Sequence, residues 1–157
     1  MQILGIDIGG TGIKAAIVET TTGALVNEST RIDTPRPATP EAVAETLKQV
    51  IVQHHWSGPI GIGFPAAIQR GIARTAANVD KSFIGLPIAE FFSRHTNCSV
   101  YMANDADAAG LAEIRFGAGK DTQGIVLIIT IGTGLGTALF MDGYLLPNTE
   151  LGHVYLD

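Results

Sequence analysis

The chain has 157 residues, enough for a domain with a sizeable core, and it is 46% hydrophobic and 16% charged. Its net charge of −5 and pI near 5.2 argue against nucleic-acid binding, which needs clustered Lys and Arg, so an anionic substrate must be caught locally. Cys98 is the only cysteine, which leaves no partner for an internal disulfide or a zinc cage, and the longest apolar run, Ile125–Ile131, is too short to cross a bilayer; a cytoplasmic protein free of membranes is expected.

Residues 2–8 are apolar and β-branched, residues 9–12 interrupt them with glycines, and residues 13–19 resume, which predicts a hairpin with a glycine tip. A turn at 20–23 and a third strand over 24–33 extend the meander. Pro35, Pro37 and Pro40 mark an extended connection, and Thr39 as N-cap with Pro40 at the first position opens a helix. Val43, Leu47, Val50 and Ile51 form its apolar face, and it ends near His54 and His55, which with Trp56 are expected as capping and surface groups. Residues 60–64 read as a buried strand, the stretch through Asn78 as irregular, 87–94 as a helix, and 99–103 as a strand leading to Asn104 and Asp105. Residues 106–116 then read as a helix with an acidic first turn and Gly117 past its end. Strand alternating with helix implies crossovers and a partly parallel sheet.

The last third repeats the opening. Residues 125–131 are apolar, Gly132-Thr133-Gly134 breaks them, 135–141 resume, and Asp142-Gly143 is a hairpin turn before 144–146. Two strand, glycine-turn, strand units suggest an internal duplication, hence two lobes across a cleft. The expected division is a first lobe over 1–115 and, over 116–157, the beginning of a second whose remaining elements have no residues to come from, so the chain reads as a fragment.

Glycines 9, 10 and 12 would let backbone N–H groups approach a phosphate and form an anion-binding nest, while an ordinary hairpin tip is the plainer alternative. Asp7, on the strand entering the turn, would repel a phosphate unless a divalent cation such as Mg²⁺ with retained waters lay between them, and Lys14 is a candidate counter-charge. A Rossmann fingerprint would have to open a helix, whereas 13–18 look like a strand, and no Walker A triplet exists. Asn104 and Asp105 lie where a strand hands over to a helix, the place where ligands bind in open α/β sheets. Asp105 either N-caps that helix or accepts the proton of an attacking sugar hydroxyl, for which orientation matters more than deep deprotonation. Asn104 suits a sugar hydroxyl, and Glu150 with His153, spaced i, i+3, would grip neighbouring hydroxyls from one side of a turn.

Four strings carry a family resemblance: Gly5-Ile6-Asp7-Ile8-Gly9-Gly10-Thr11-Gly12-Ile13-Lys14, Arg74-Thr75-Ala76-Ala77-Asn78-Val79-Asp80-Lys81-Ser82, Asn104-Asp105-Ala106-Asp107-Ala108-Ala109-Gly110-Leu111-Ala112-Glu113 and Asn148-Thr149-Glu150-Leu151-Gly152-His153. In that order they resemble the ROK family of sugar kinases and repressors, within the sugar kinase, actin and Hsp70 superfamily, and more closely its polyphosphate glucokinases. The resemblance implies a ribonuclease H-like α/β fold with a mixed sheet and flanking helices. It also implies phosphorylation of glucose at its 6-hydroxyl from polyphosphate or ATP with Mg²⁺, and a homodimer. It carries Asp105 over as the base, Asn78, Asn104, Glu150 and His153 as sugar contacts, and Asp7, Gly9, Gly10, Thr11, Lys14, Thr133 and Gly134 as phosphate-site positions. Many ATP-using relatives place the lysine directly after the threonine; here Gly12 and Ile13 intervene, as in the polyphosphate-using branch. A repressor of this family would need a helix-turn-helix before the first strand, for which the residues ahead of Ile3 leave no room. The family's later sugar and adenosine contacts would lie past Asp157, so a polypeptide of this length is expected to lack full activity alone.

Overall fold

In a computed structural model the described residues are 1–132 and 134–153, with the side chain of His153 outside that description. The chain divides into two compact units, residues 1–103 and 104–157.

The first unit is built on a five-stranded mixed sheet in the order β3-β2-β1-β4-β7. β1 (Gln2–Ile8) alternates as its sequence predicts, burying Leu4, Ile6 and Ile8 on one face and turning Asp7 outward on the other. β2 (Gly12–Glu19) runs antiparallel to it with Lys14 opposite Asp7, and β4 (Ile60–Phe64) runs parallel to it with Gly63 opposite Asp7. The crossover from the hairpin to β4 is α1 (Pro40–Gln53), opened by Thr39, whose hydroxyl accepts the Ala42 amide. Its Val43, Leu47 and Val50 are fully buried in one cluster with Leu4, Ile6, Ile8, Ile60 and Phe64, the face the spacing predicts. α2 (Ile88–Thr96) adds Ile88 and Phe92, and the rings of Phe64, Phe83 and Phe92 follow one another at 5.0 and 6.2 Å. β7 (Val100–Asn104) completes the sheet.

Several local expectations are corrected. β3 is only Thr30–Asp33; before it, one isolated bridge pairs Leu25 with Val18, and the ladder is interrupted where Asn27 Oδ1 takes the Ile17 amide at 2.8 Å. The helix expected over 87–94 begins at Ile88, with Pro87 as its N-cap, and ends on Asn97 in the left-handed region at φ 56°. The stretch expected to be irregular contains a small hairpin, β5 (Ile68–Gln69) and β6 (Ile72–Ala73), around Arg70 and Gly71 at φ 52° and 74°. His54 is no surface group: it is buried, with Nδ1 2.9 Å from Asn27 Nδ2 and Nε2 2.8 Å from Thr30 Oγ1. Trp56 is half-buried with Nε1 donating to the Pro59 carbonyl, and His55 alone of the three is exposed.

The second unit holds α3 (Asp105–Phe116) and an antiparallel sheet of β8 (Ile125–Ile131), β9 (Leu135–Met141) and β10 (Tyr144–Leu146). The β9–β10 turn is Asp142-Gly143 at φ 50° and 80°, as its sequence predicts. α3, which the sequence reading groups with the first lobe, packs on β9: a Cβ at Gly110 would fall 2.6 Å from Ala138 Cβ, so the glycine lets helix and strand approach.

Candidate active site

The glycine turn between β1 and β2 is closed by the Gly9 amide donating to the Gly12 carbonyl at 3.0 Å. Two of its other carbonyls, those of Gly9 and Thr11, are held from β3 and just beyond it. Thr34 Oγ1 donates to the Gly9 carbonyl at 2.6 Å, and Arg31 Nη2 donates to the Thr11 carbonyl at 2.9 Å while Nη1 donates to Asp33 Oδ1 at 2.8 Å. The Arg31 guanidinium lies against Gly12, where a Cβ would sit 2.5 Å from Nε. With those carbonyls occupied, the Gly10 and Thr11 amides have no acceptor among the described residues, and both residues are exposed: two donors at the tip of a turn, the elements of an anion nest. Asn78 is beside the turn, since a Cβ on Gly10 would come within 3.1 Å of Asn78 Cβ. Asp7 and Lys14 are exposed cross-strand neighbours and form no ion pair among the described residues. A single outward carboxylate fits Mg²⁺ held mostly by phosphate oxygens and water, not a protein cage, and no trio of His, Cys, Asp or Glu among the described residues could hold a metal.

In the second unit the cap of α3 is Asn104, not Asp105. Asn104 Oδ1 accepts the Asp107 amide at 3.1 Å, so Asn104 supplies the half-in backbone and Asp105 is the first helical residue, with Oδ1 accepting the Ala106 amide at 2.8 Å. Asn104 also donates from Nδ2 to Glu150 Oε1 at 3.0 Å, which joins two residues 46 positions apart in sequence. Asp107, 2% exposed, accepts the Asn148 amide on Oδ2 at 2.9 Å, and burial pushes its carboxyl above the usual range while that amide opposes the shift. Thr137 Oγ1 accepts the Leu151 amide at 2.8 Å. Asn148 and Glu150 are both left-handed, at φ 58° and 45°, so this segment carries backbone strain held by its contacts.

Within the second unit the structure brings together Asn104, Asp105 and Glu150, and within the first it brings together Gly9, Gly10, Thr11, Gly12, Asp7, Lys14 and Asn78. At the second glycine turn the Gly132 amide donates to the Gly134 carbonyl at 3.0 Å, a span one residue shorter than the Gly9 to Gly12 closure of the first. Thr133 lies outside the described residues, and so does the His153 side chain; His153 belongs by its backbone to a single turn of 3₁₀ helix, Leu151–His153. Sequence reasoning missed Thr34, Arg31 and Asp107. Only the cross-strand register could have pointed to Arg31, which sits opposite Lys14. Cys98 is a buried thiol whose pKa burial raises, and no helix among the described residues is long and apolar enough to cross a membrane.

The ROK family profile matches residues 3–157. The chain is 48% identical over 151 residues to polyphosphate glucokinase of Mycobacterium tuberculosis, covering 96% of this chain and 57% of that protein. It is 31% identical over 166 residues to a glucokinase of Thermotoga maritima, covering 100% and 51%. Its structure matches the inorganic polyphosphate/ATP-glucomannokinase of Arthrobacter sp. strain KM with a TM-score of 0.95 at 47% identity, over 99% of this chain and 64% of that one. It matches the glucokinase of Streptomyces griseus, solved with glucose and AMPPNP, with a TM-score of 0.86 at 29% identity, over 100% and 51%. The chain spans about half the length of the curated relatives it matches. Five-stranded mixed sheet, flanking helices and four motif strings therefore agree with these likenesses: the chain belongs to the ROK family, and its fold is that of the family's sugar kinases within the actin and Hsp70 superfamily.

Proposed function

We propose that the protein carrying this chain transfers a phosphoryl group from polyphosphate or ATP to the 6-hydroxyl of glucose. The observation that supports this most is the joining of Asn104, Asp105 and Glu150 at a strand-to-helix junction, hydroxyl-binding groups beside a carboxylate. In this reading Asn104, Glu150, Asn78 and His153 hold the sugar, and Asp105 accepts the proton of the 6-hydroxyl as that oxygen bonds to phosphorus. The bond from phosphorus to the bridging oxygen breaks, leaving ADP or a polyphosphate shortened by one unit. Asp105 sits in the first turn of α3, where the helix dipole favours the carboxylate, ready to orient the hydroxyl. The Gly9 to Gly12 turn, with the free amides of Gly10 and Thr11, and the second turn at Thr133 and Gly134 hold donor phosphates, and Lys14 adds a positive charge. Mg²⁺, when bound through waters at Asp7, would screen charge on the donor phosphates. Gly12 and Ile13 between Thr11 and Lys14 resemble the polyphosphate-using branch of the family, and on that resemblance polyphosphate is the favoured donor. The same reading, from the resemblance, includes a cytoplasmic homodimer without nucleic-acid or membrane partners; a single buried thiol and a net charge of −5 accord with it.

Asp105→Asn tests the central role. The variant keeps the shape and loses the proton acceptor, so turnover should fall about 100-fold or more while the glucose dissociation constant changes little. Turnover like that of the unmodified protein would remove Asp105 from the chemistry.

A further inference from the structure

Asp107 has no part in that chemistry, yet it is the most deeply buried carboxylate of the second unit's described residues. A buried carboxylate is costly unless it is paired or hydrogen-bonded. Three hydrogen bonds run through it and its neighbours in a closed circuit. The Asp107 amide donates to Asn104 Oδ1, the Asn148 amide donates to Asp107 Oδ2, and Asn104 Nδ2 donates to Glu150 Oε1. The chain closes the circuit through Asn148, Thr149 and Glu150, two of which are in the left-handed region that asparagine tolerates and glutamate rarely adopts. Remote from this path, β9 steadies the segment's exit through Thr137 and the Leu151 amide.

We infer that Asp107 is a positioning residue for the acceptor side: by holding the Asn148 amide it keeps the strained 148–150 backbone in the one arrangement that sets Glu150 against Asn104. The inference rests on the sugar-kinase reading, since it assigns Asp107 an effect on sugar binding. Two side-chain oxygens in this region, Asp107 Oδ1 and Thr149 Oγ1, are buried and without hydrogen-bond partners among the described residues, so the segment keeps polar atoms inside that a purely structural packing would have replaced with carbon. Without the Asn148 anchor the backbone can relax out of the left-handed region, and Glu150 leaves Asn104.

The test is steady-state kinetics on the protein carrying this chain, with Asp107→Ser and Asp107→Asn. Serine is too short to reach the Asn148 amide and should raise the KM for glucose about 10- to 100-fold, with the donor KM within about twofold. Asparagine restores an acceptor oxygen at the same reach and should return the glucose KM to within about threefold of the unmodified protein. Equal rises in both KM values, or no rescue by asparagine, would make Asp107 a general stability element and overturn the inference. Should the serine variant fail to fold, amide hydrogen exchange on the unmodified protein decides: the Asn148 amide should exchange about 100-fold or more slowly relative to the unpartnered Gly10 amide, and comparable rates would overturn the proposal. An unmodified protein that phosphorylates no sugar would defeat the sugar-kinase reading itself, a result distinct from normal activity with an indifferent Asp107.

Discussion

Thr34 and Arg31 illustrate how side chains outside the glycine string can shape the turn proposed to hold phosphate. A tight turn exposes carbonyls as readily as amides, and carbonyls repel phosphate; here a hydroxyl and a guanidinium occupy the carbonyls of Gly9 and Thr11 and leave amides outward. Thr34→Val keeps the shape of this buried residue and deletes one of those bonds. It should raise the donor KM several-fold, leave the glucose KM unchanged, and cost about 1 kcal/mol of stability, measurable by denaturant unfolding beside initial rates. An unaltered donor KM would mean the turn needs no such support. None of this was legible in the sequence, because neither residue lies in a glycine string and their partners are main-chain atoms up to 25 positions away. Asp105 shows a subtler limit. Two adjacent cap-forming residues, Asn104 and Asp105, leave the cap ambiguous by pattern, and the geometry awards it to Asn104, with Asp105 as the first helical residue and its Oδ1 on the Ala106 amide.

At the scale of elements, the parts with strong periodicity were readable and the short ones were not. The β1–β2 hairpin, α1, β8, β9 and the Asp142-Gly143 turn follow from alternation, the four-residue apolar stripe, a Thr-Pro start and turn chemistry. Strands of two residues, β5 and β6, carry no period, and the shortening of β3 depends on where one asparagine side chain points. The placing of α3 rests on a glycine whose meaning appears only with its neighbour present. A methyl at Gly110 would meet Ala138 and Phe140 within 2.6 and 2.8 Å, both on a strand, so the helix must move outward. Gly110→Ala therefore overrides the helix-propensity gain of alanine and should destabilise by about 1–3 kcal/mol, seen as a lower thermal midpoint. A stabilised variant would show that α3 has room to shift.

For the whole molecule, the two glycine turns fall in different units, the first with Asn78 in residues 1–103 and the second with Asn104, Asp105 and Glu150 in 104–157. Family membership follows from likeness along nearly the entire chain, whereas the reaction is the part that needs experiment, because the relatives are about twice as long. The outward row of β8, Ile125, Leu127, Ile129 and Ile131, is between 46% and 85% exposed, so this sheet presents an apolar face in the described structure. The most direct measurement is product formation by the protein carrying this chain, with glucose and Mg²⁺, supplied in parallel with polyphosphate and with ATP. Glucose 6-phosphate should form from polyphosphate, with saturation in both glucose and donor. Absence of glucose 6-phosphate with both donors, from a protein shown to be folded, would contradict the proposed function.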